Sequence, residues 1–147
     1  MLLAQYATAQ QQEITVNHGQ LYVLPNTLVS TQFDFDNADS GVVFNDGEFQ
    51  FYKNYNNDGL FTHTTNQTTG YTVFQGSAPQ LISGSQPSKH FDVLFYNSSI
   101  QYPFNLDNDM IINGTGNFRN GIVKINEANG GKMLFSNKAL HINVSDK

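Results

Sequence analysis

A short unit recurs along this chain and limits what the chain can become: a glycine-bearing turn that runs at once into an alternating strand. Asn17-His18-Gly19 leads into Gln20-Leu21-Tyr22-Val23, Asn45-Asp46-Gly47 into Glu48-Phe49-Gln50-Phe51, and Asn57-Asp58-Gly59 into Leu60-Phe61-Thr62-His63. Thr69-Gly70 precedes Tyr71-Thr72-Val73-Phe74, and Asn120-Gly121 precedes Ile122-Val123-Lys124-Ile125. The pattern predicts that Gly19, Gly47, Gly59, Gly70 and Gly121 supply the positive φ of tight turns, beside an Asn or Asp that tolerates the left-handed region. Residues two and four after the glycine then share one strand face. Those pairs are Leu21 with Val23, Phe49 with Phe51, Phe61 with His63, and Thr72 with Phe74.

Gly47, Gly59 and Gly70 lie 12 and 11 residues apart, whereas Gly19 and Gly47 are 28 apart. Hairpins of a sandwich or barrel also give turns every 8–12 residues or so. Successive units of one design, however, fit parallel coils better, each coil adding a rung to a solenoid. Asn at the corners fits as well, since its amide can stack from coil to coil. The expected fold is therefore all-β, a β-solenoid or right-handed parallel β-helix-like stack, with an antiparallel β-sandwich as the alternative. Composition agrees. Among 147 residues there are 12 Phe, 7 Tyr and no Trp. Only 13% of residues are charged, against about 25% in ordinary globular domains. Runs of strong helix formers are missing.

The net charge is −5, and the basic residues Lys53, Lys89, Arg119, Lys124, Lys132, Lys138 and Lys147 are scattered. Neutralising phosphates takes a concentrated basic surface, so a nucleic-acid partner is disfavoured. Without cysteine there is neither a disulfide framework nor a thiolate metal site. No segment approaches the roughly 18 apolar residues of a membrane span. At the N-terminus, apolar Leu2, Leu3 and Ala4 precede Ala7-Thr8-Ala9 and Gln10, the A-x-A form of a signal-peptidase site. Residues 1–9 thus read as the remnant of a signal peptide, and 10–147 as a single β-repeat domain. The C-terminal run from Leu140 to Lys147 alternates like a strand with no closing turn, so the domain is expected to continue into a longer chain of its own.

Taken together, several stretches resemble a known family. They are Leu21-Tyr22-Val23-Leu24-Pro25-Asn26-Thr27, Phe44-Asn45-Asp46-Gly47-Glu48 and Tyr55-Asn56-Asn57-Asp58-Gly59. Further on come Thr69-Gly70-Tyr71-Thr72-Val73-Phe74-Gln75-Gly76, Leu81-Ile82-Ser83-Gly84, Phe91-Asp92-Val93-Leu94-Phe95-Tyr96-Asn97-Ser98-Ser99 and Phe118-Arg119-Asn120-Gly121-Ile122-Val123. In this order they are similar to the N-terminal repeat regions of large cell-surface proteins of gliding Bacteroidetes, exported by type IX secretion. The resemblance spans roughly residues 13–137. It implies an extracellular, adhesin-like protein with a C-terminal sorting domain elsewhere in the chain, and it implies no catalytic residue.

Candidate chemistry is sparse. His18, His63, His90 and His141 form neither H-E-x-x-H nor H-x-H, and they read as residues of surface turns and strand faces. Ser85 is an ordinary turn residue outside any G-x-S-x-G elbow. Gly114-Thr115-Gly116 lacks the third glycine of a dinucleotide fingerprint. Asp34, Asp36 and Asp39, with Asn37 among them, are the best candidates for Ca²⁺, a cation that takes hard oxygen ligands. Ala38 breaks the EF-hand pattern there, and Asp107-Asn108-Asp109 is a weaker candidate of the same kind. No other cofactor is expected. Tyr22, Tyr52, Tyr55, Tyr71, Tyr96 and Tyr102 could stack on sugar rings if exposed. The expected function is therefore a non-catalytic structural module of a secreted surface protein. A carbohydrate- or surface-binding module, with glycans or other cell-surface components as partners, is the alternative. A polysaccharide-degrading β-helix enzyme using paired carboxylates ranks third.

Overall fold

The structure is a computed structural model that describes residues 13–144. The proposed signal remnant, residues 1–9, lies outside the described residues. Eighteen short strands wind into six coils, three strands to a coil. The first coil holds β1 (Ile14–Asn17), β2 (Gln20–Val23) and β3 (Leu28–Thr31); the second holds β4 (Asp34–Asn37), β5 (Val42–Asn45) and β6 (Glu48–Phe51). The third comprises β7 (Tyr55–Asn57), β8 (Leu60–Thr62) and β9 (Tyr71–Gly76). In the fourth are β10 (Gln80–Ser83), β11 (Ser88–His90) and β12 (Asp92–Asn97). The fifth is β13 (Phe104–Leu106), β14 (Asp109–Ile112) and β15 (Thr115–Asn120). The sixth is β16 (Val123–Ile125), β17 (Lys132–Phe135) and β18 (Leu140–Ile142), with one 3₁₀ turn over Glu127–Asn129.

Every third strand stacks into one sheet, so β1, β4, β7, β10, β13 and β16 form sheet A. Sheet B runs from β2 to β17 and sheet C from β3 to β18 in the same way. All fifteen strand pairings are parallel. The chain is a β-solenoid, and the antiparallel sandwich is ruled out.

A repeating sequence makes this stable because parallel in-register coils put like residues above like, about 4.8 Å apart. Phe51, Phe74, Phe95 and Phe118 occupy one column of sheet C. Their rings stack at centroid separations of 5.4, 5.7 and 5.1 Å, with interplanar angles no larger than 22°. Each such contact adds about 0.5–1.5 kcal/mol beyond area burial. Phe35, Tyr55, Ile82 and Leu106 make the matching inward column of sheet A, all buried. At the corner from sheet A to sheet B the expected amide ladder is present. Asn17 Nδ2 donates to Asn37 Oδ1 at 2.8 Å, and Asn37 Nδ2 donates to Asn57 Oδ1 at 2.7 Å.

Two expectations change. The turn–strand unit is one side of a coil, not a whole coil: Leu21–Val23 and Phe61 lie in sheet B, whereas Phe49–Phe51 and Thr72–Phe74 lie in sheet C. A full coil takes 20 residues from Phe35 to Tyr55, 27 from Tyr55 to Ile82, 24 from Ile82 to Leu106 and 19 from Leu106 to Ile125. Corners absorb the difference, which is why the sequence period is uneven.

The glycines also act differently. Gly121 has the expected left-handed backbone, with φ of 104°, but Gly19, Gly47, Gly59 and Gly70 are not at positive φ. Space explains three of them. A Cβ on Gly47 would strike the Leu24 carbonyl oxygen, one on Gly59 the Gly41 oxygen, and one on Gly70 the Asn45 oxygen. Backbones of successive coils come too close there for any side chain. Gly19, in the first coil, has nothing within 4 Å of an added Cβ.

Candidate functional site

The residues singled out by sequence do not converge. Asp34 and Asp36 stand on the outward face of β4, and Asp39 follows in the turn to β5. Asp34 accepts from the Asn54 amide at 3.1 Å, Asp36 from Asn56 Nδ2 at 2.9 Å, and Asp39 from the Ser40 amide at 2.7 Å. Among the described residues no group of three or more His, Cys, Asp and Glu side chains comes together to hold a metal ion. The tyrosines are dispersed as well. Tyr55 is fully buried, which corrects the expectation that it offers a ring to a sugar. Tyr22 stacks on Phe44 at 5.2 Å, Arg119 lies over the Tyr96 ring at 5.4 Å, and Lys124 lies over Tyr102 at 5.3 Å. Each of these faces already has a neighbour from the solenoid itself.

His90 is the polar residue that sequence reading misplaced. Lys89 must point to water, so period two sends Ser88 and His90 inward, and His90 is only 1% exposed. Its Nδ1 lies 2.9 Å from Thr72 Oγ1 and its Nε2 3.0 Å from Ser88 Oγ. Asn45 Nδ2 donates to Thr72 Oγ1 at 3.2 Å, so Thr72 joins Asn45 to His90 within the core. Burial, reinforced by His63, pulls the His90 pKa down to about 3, so the ring is neutral. Phe61, Phe74 and Tyr55 surround it. Burial also pushes the Tyr55 phenol well above its ordinary value; Ser88 tempers the shift, yet no side chain meets Tyr55 Oη with hydrogen-bond geometry. This network lies inside the core, with Asn45 Oδ1 and Tyr55 Oη left unpaired in it.

Two concave surfaces stand out among the described residues. A groove of about 600 Å³ crosses the outer face of sheet B, bordered by Asp39, Asp58, Leu60, Thr62, Lys89 and Ile111. Thr62, Lys89 and Ile111 project on the outward side of β8, β11 and β14, and Lys89 pairs in register with Ile111. The Ser85 side chain, then Asn56 and the Ser85 amide, hydrogen-bond the Asp58 carboxyl and hold its pKa below the ordinary value. The groove thus offers a fixed carboxylate, a cation and apolar side chains across three coils. Sequence reading missed it because its residues come from three separate strands. Outward alternation in Leu60-Phe61-Thr62 and Ser88-Lys89-His90 is the only trace of it in the sequence.

The second hollow, about 680 Å³, lies against the fifth and sixth coils, walled by Phe118, Ile122, Ile125, Met133, Phe135 and His141. No helix among the described residues is long and apolar enough to cross a membrane.

The chain matches no family model, and neither curated proteins nor solved structures give a match.

Proposed function

We propose that the chain is a structural repeat module of a secreted, adhesin-like cell-surface protein, a stiff β-solenoid segment with no catalysis of its own. The observation that supports this is the unbroken column. Phe51 to Phe118 and Asn17 to Asn57 tie the first five coils together through stacked rings and amides. A quasi-one-dimensional stack of this kind suits a spacer that must transmit position without bending. The surface location, and the type IX route with it, rests on the resemblance of residues 13–137 and on Ala7-Thr8-Ala9. Protease treatment of intact cells making the natural protein tests it. The protein should be degraded without lysis and become protected when the type IX machinery is deleted. Degradation only after lysis would sink the proposal.

A second reading is favoured by the sheet B groove. Carboxylates, Lys89 and the apolar Leu60 and Ile111 along one face suit a glycan chain. A glycan array probed with the chain and with Lys89→Ala tests that reading. It needs a hit that weakens in the variant.

A further inference from the structure

The corners of the coil differ in charge and in what they expose. Where the chain passes from sheet A to sheet B, the corner segments carry Asp39, Asp58, Asp107 and Glu127 and no Lys or Arg. Where it passes from sheet C to sheet A, residues 75–81, 96–105 and 119–124 round the corner with no Asp or Glu, and Arg119 and Lys124 are their only charges. The longest of these passages is the loop 98–103 between β12 and β13. Ile100 in the middle of it is 100% exposed, Tyr102 is 60% exposed and Tyr96 at its base is 45% exposed. The corners that end coils three and five lie on either side of this loop, so the exposure belongs to the loop itself.

The loop is held in place from below. Buried Asn97 donates from Nδ2 to the Ala78 oxygen at 2.8 Å and to Gln80 Oε1 at 3.0 Å, and buried Gln80 donates from Nε2 to the Lys53 oxygen at 2.8 Å. The Ser98 amide donates to the Gly76 oxygen at 3.0 Å, and the Gln80 amide to the Pro103 oxygen at 2.8 Å. Tyr102 takes a φ of 37°, a left-handed backbone unusual for a bulky side chain, and strain of this kind persists where the surrounding structure enforces it. Lys124 Nζ lies 5.3 Å from the Tyr102 ring centre, and the Arg119 guanidinium 5.4 Å from that of Tyr96. An uncovered aliphatic side chain, two tyrosines beside it and a cation over each ring suit a lipid–water interface. There the apolar tip enters the acyl boundary, the tyrosines sit at headgroup level, and Lys and Arg reach the phosphates. A protein groove would also bury Ile100, but cations without a single carboxylate among them select an anionic surface.

We propose that the corner from sheet C to sheet A, around loop 98–103, docks peripherally on an anionic lipid bilayer, with Ile100 entering the interface and Arg119 and Lys124 meeting headgroup phosphates. Seated this way, the coil keeps the acidic corner from sheet A to sheet B off the lipid. Co-sedimentation of the whole chain with phosphatidylcholine vesicles, with and without about one-third phosphatidylserine, tests this. The chain should bind the anionic vesicles with an association constant of about 10³–10⁴ M⁻¹, falling as salt rises, and the neutral ones about tenfold more weakly. Ile100→Asp should lower the affinity about 30-fold and Lys124→Glu about tenfold. Both side chains are exposed, so circular dichroism should show each variant as β-rich as the unaltered chain. The sequence has no Trp, so Ile100→Trp carries the only indole, and its emission should move to the blue on anionic vesicles. The proposal falls if the chain stays in the supernatant at about 1 mM lipid, a result that would leave Ile100 to a protein partner. It falls equally if Ile100→Asp sediments like the unaltered chain, since another part of the sequence would then hold the lipid, or if the Ile100→Trp emission does not move.

Discussion

Coils two to five and coil six share the same alternation and the same three-sided path, yet they stand differently toward water. Phe74 has Phe51 below and Phe95 above and no exposed surface. Phe135 continues a column from Ile112, lies 6.0 Å from the His141 ring in a T-shaped pair, and among the described residues is 38% exposed. The residue types alone do not separate these two phenylalanines. What separates them is a further coil. In a solenoid, burial depends on having neighbours on both sides, so a core residue is only as dry as the coils described on either side of it.

Truncation breaks that comparison most strongly. Phe74→Ala should cost about 3–5 kcal/mol by chemical denaturation, through lost transfer energy and a cavity closed off on both sides. Phe135→Ala should cost about 1 kcal/mol or less. Equal losses would mean that the last coil is as well covered as the middle ones.

A smaller effect comes from pH. His90 has a folded-state pKa of about 3, whereas an unfolded histidine titrates near about 6.5. As pH falls below the unfolded value, the unfolded chain takes up the proton first. The stability held by the neutral ring is therefore complete above about pH 6.5 and is lost toward pH 3, at about 1.4 kcal/mol per unit. His90→Gln, which keeps a polar group without titrating, should flatten that slope in denaturation series at pH 7, 5 and 4. Parallel losses in variant and parent would remove His90 from the account.

The smallest contrast separates the first coil from the second. Gly47→Ala forces a Cβ against the Leu24 oxygen and should cost about 1–3 kcal/mol. Gly19→Ala meets nothing and should leave the thermal midpoint nearly unchanged. A large loss at Gly19 would show that its backbone, and not the neighbouring coil, demands glycine.

These cases show what could be read in the chain. The solenoid was legible because strand alternation and turn glycines are local, and five similar units say that the same local structure recurs. The amide ladder was legible for the same reason, as Asn17 and Asn57 open similar corners. The acids at Asp34, Asp36 and Asp39 look like a ligand set on paper because they are close in sequence. A strand turns Asp34 and Asp36 one way and the turn carries Asp39 elsewhere, so among the described residues closeness in sequence did not gather three ligands. The sheet B groove runs the other way: Thr62, Lys89 and Ile111 are remote in sequence and adjacent only through parallel pairing.

The chain's own order of residues determined that it would be all-β, low in charge and stacked in parallel, since period two and recurrent turns act over a handful of residues. Tertiary structure alone decided which unit forms which side of the coil, which glycines face a neighbouring backbone, and that His90 lies in the core. Each of these depends on register between strands 18 to 27 residues apart, a distance over which the intervening corners change length and no local pattern can carry the count.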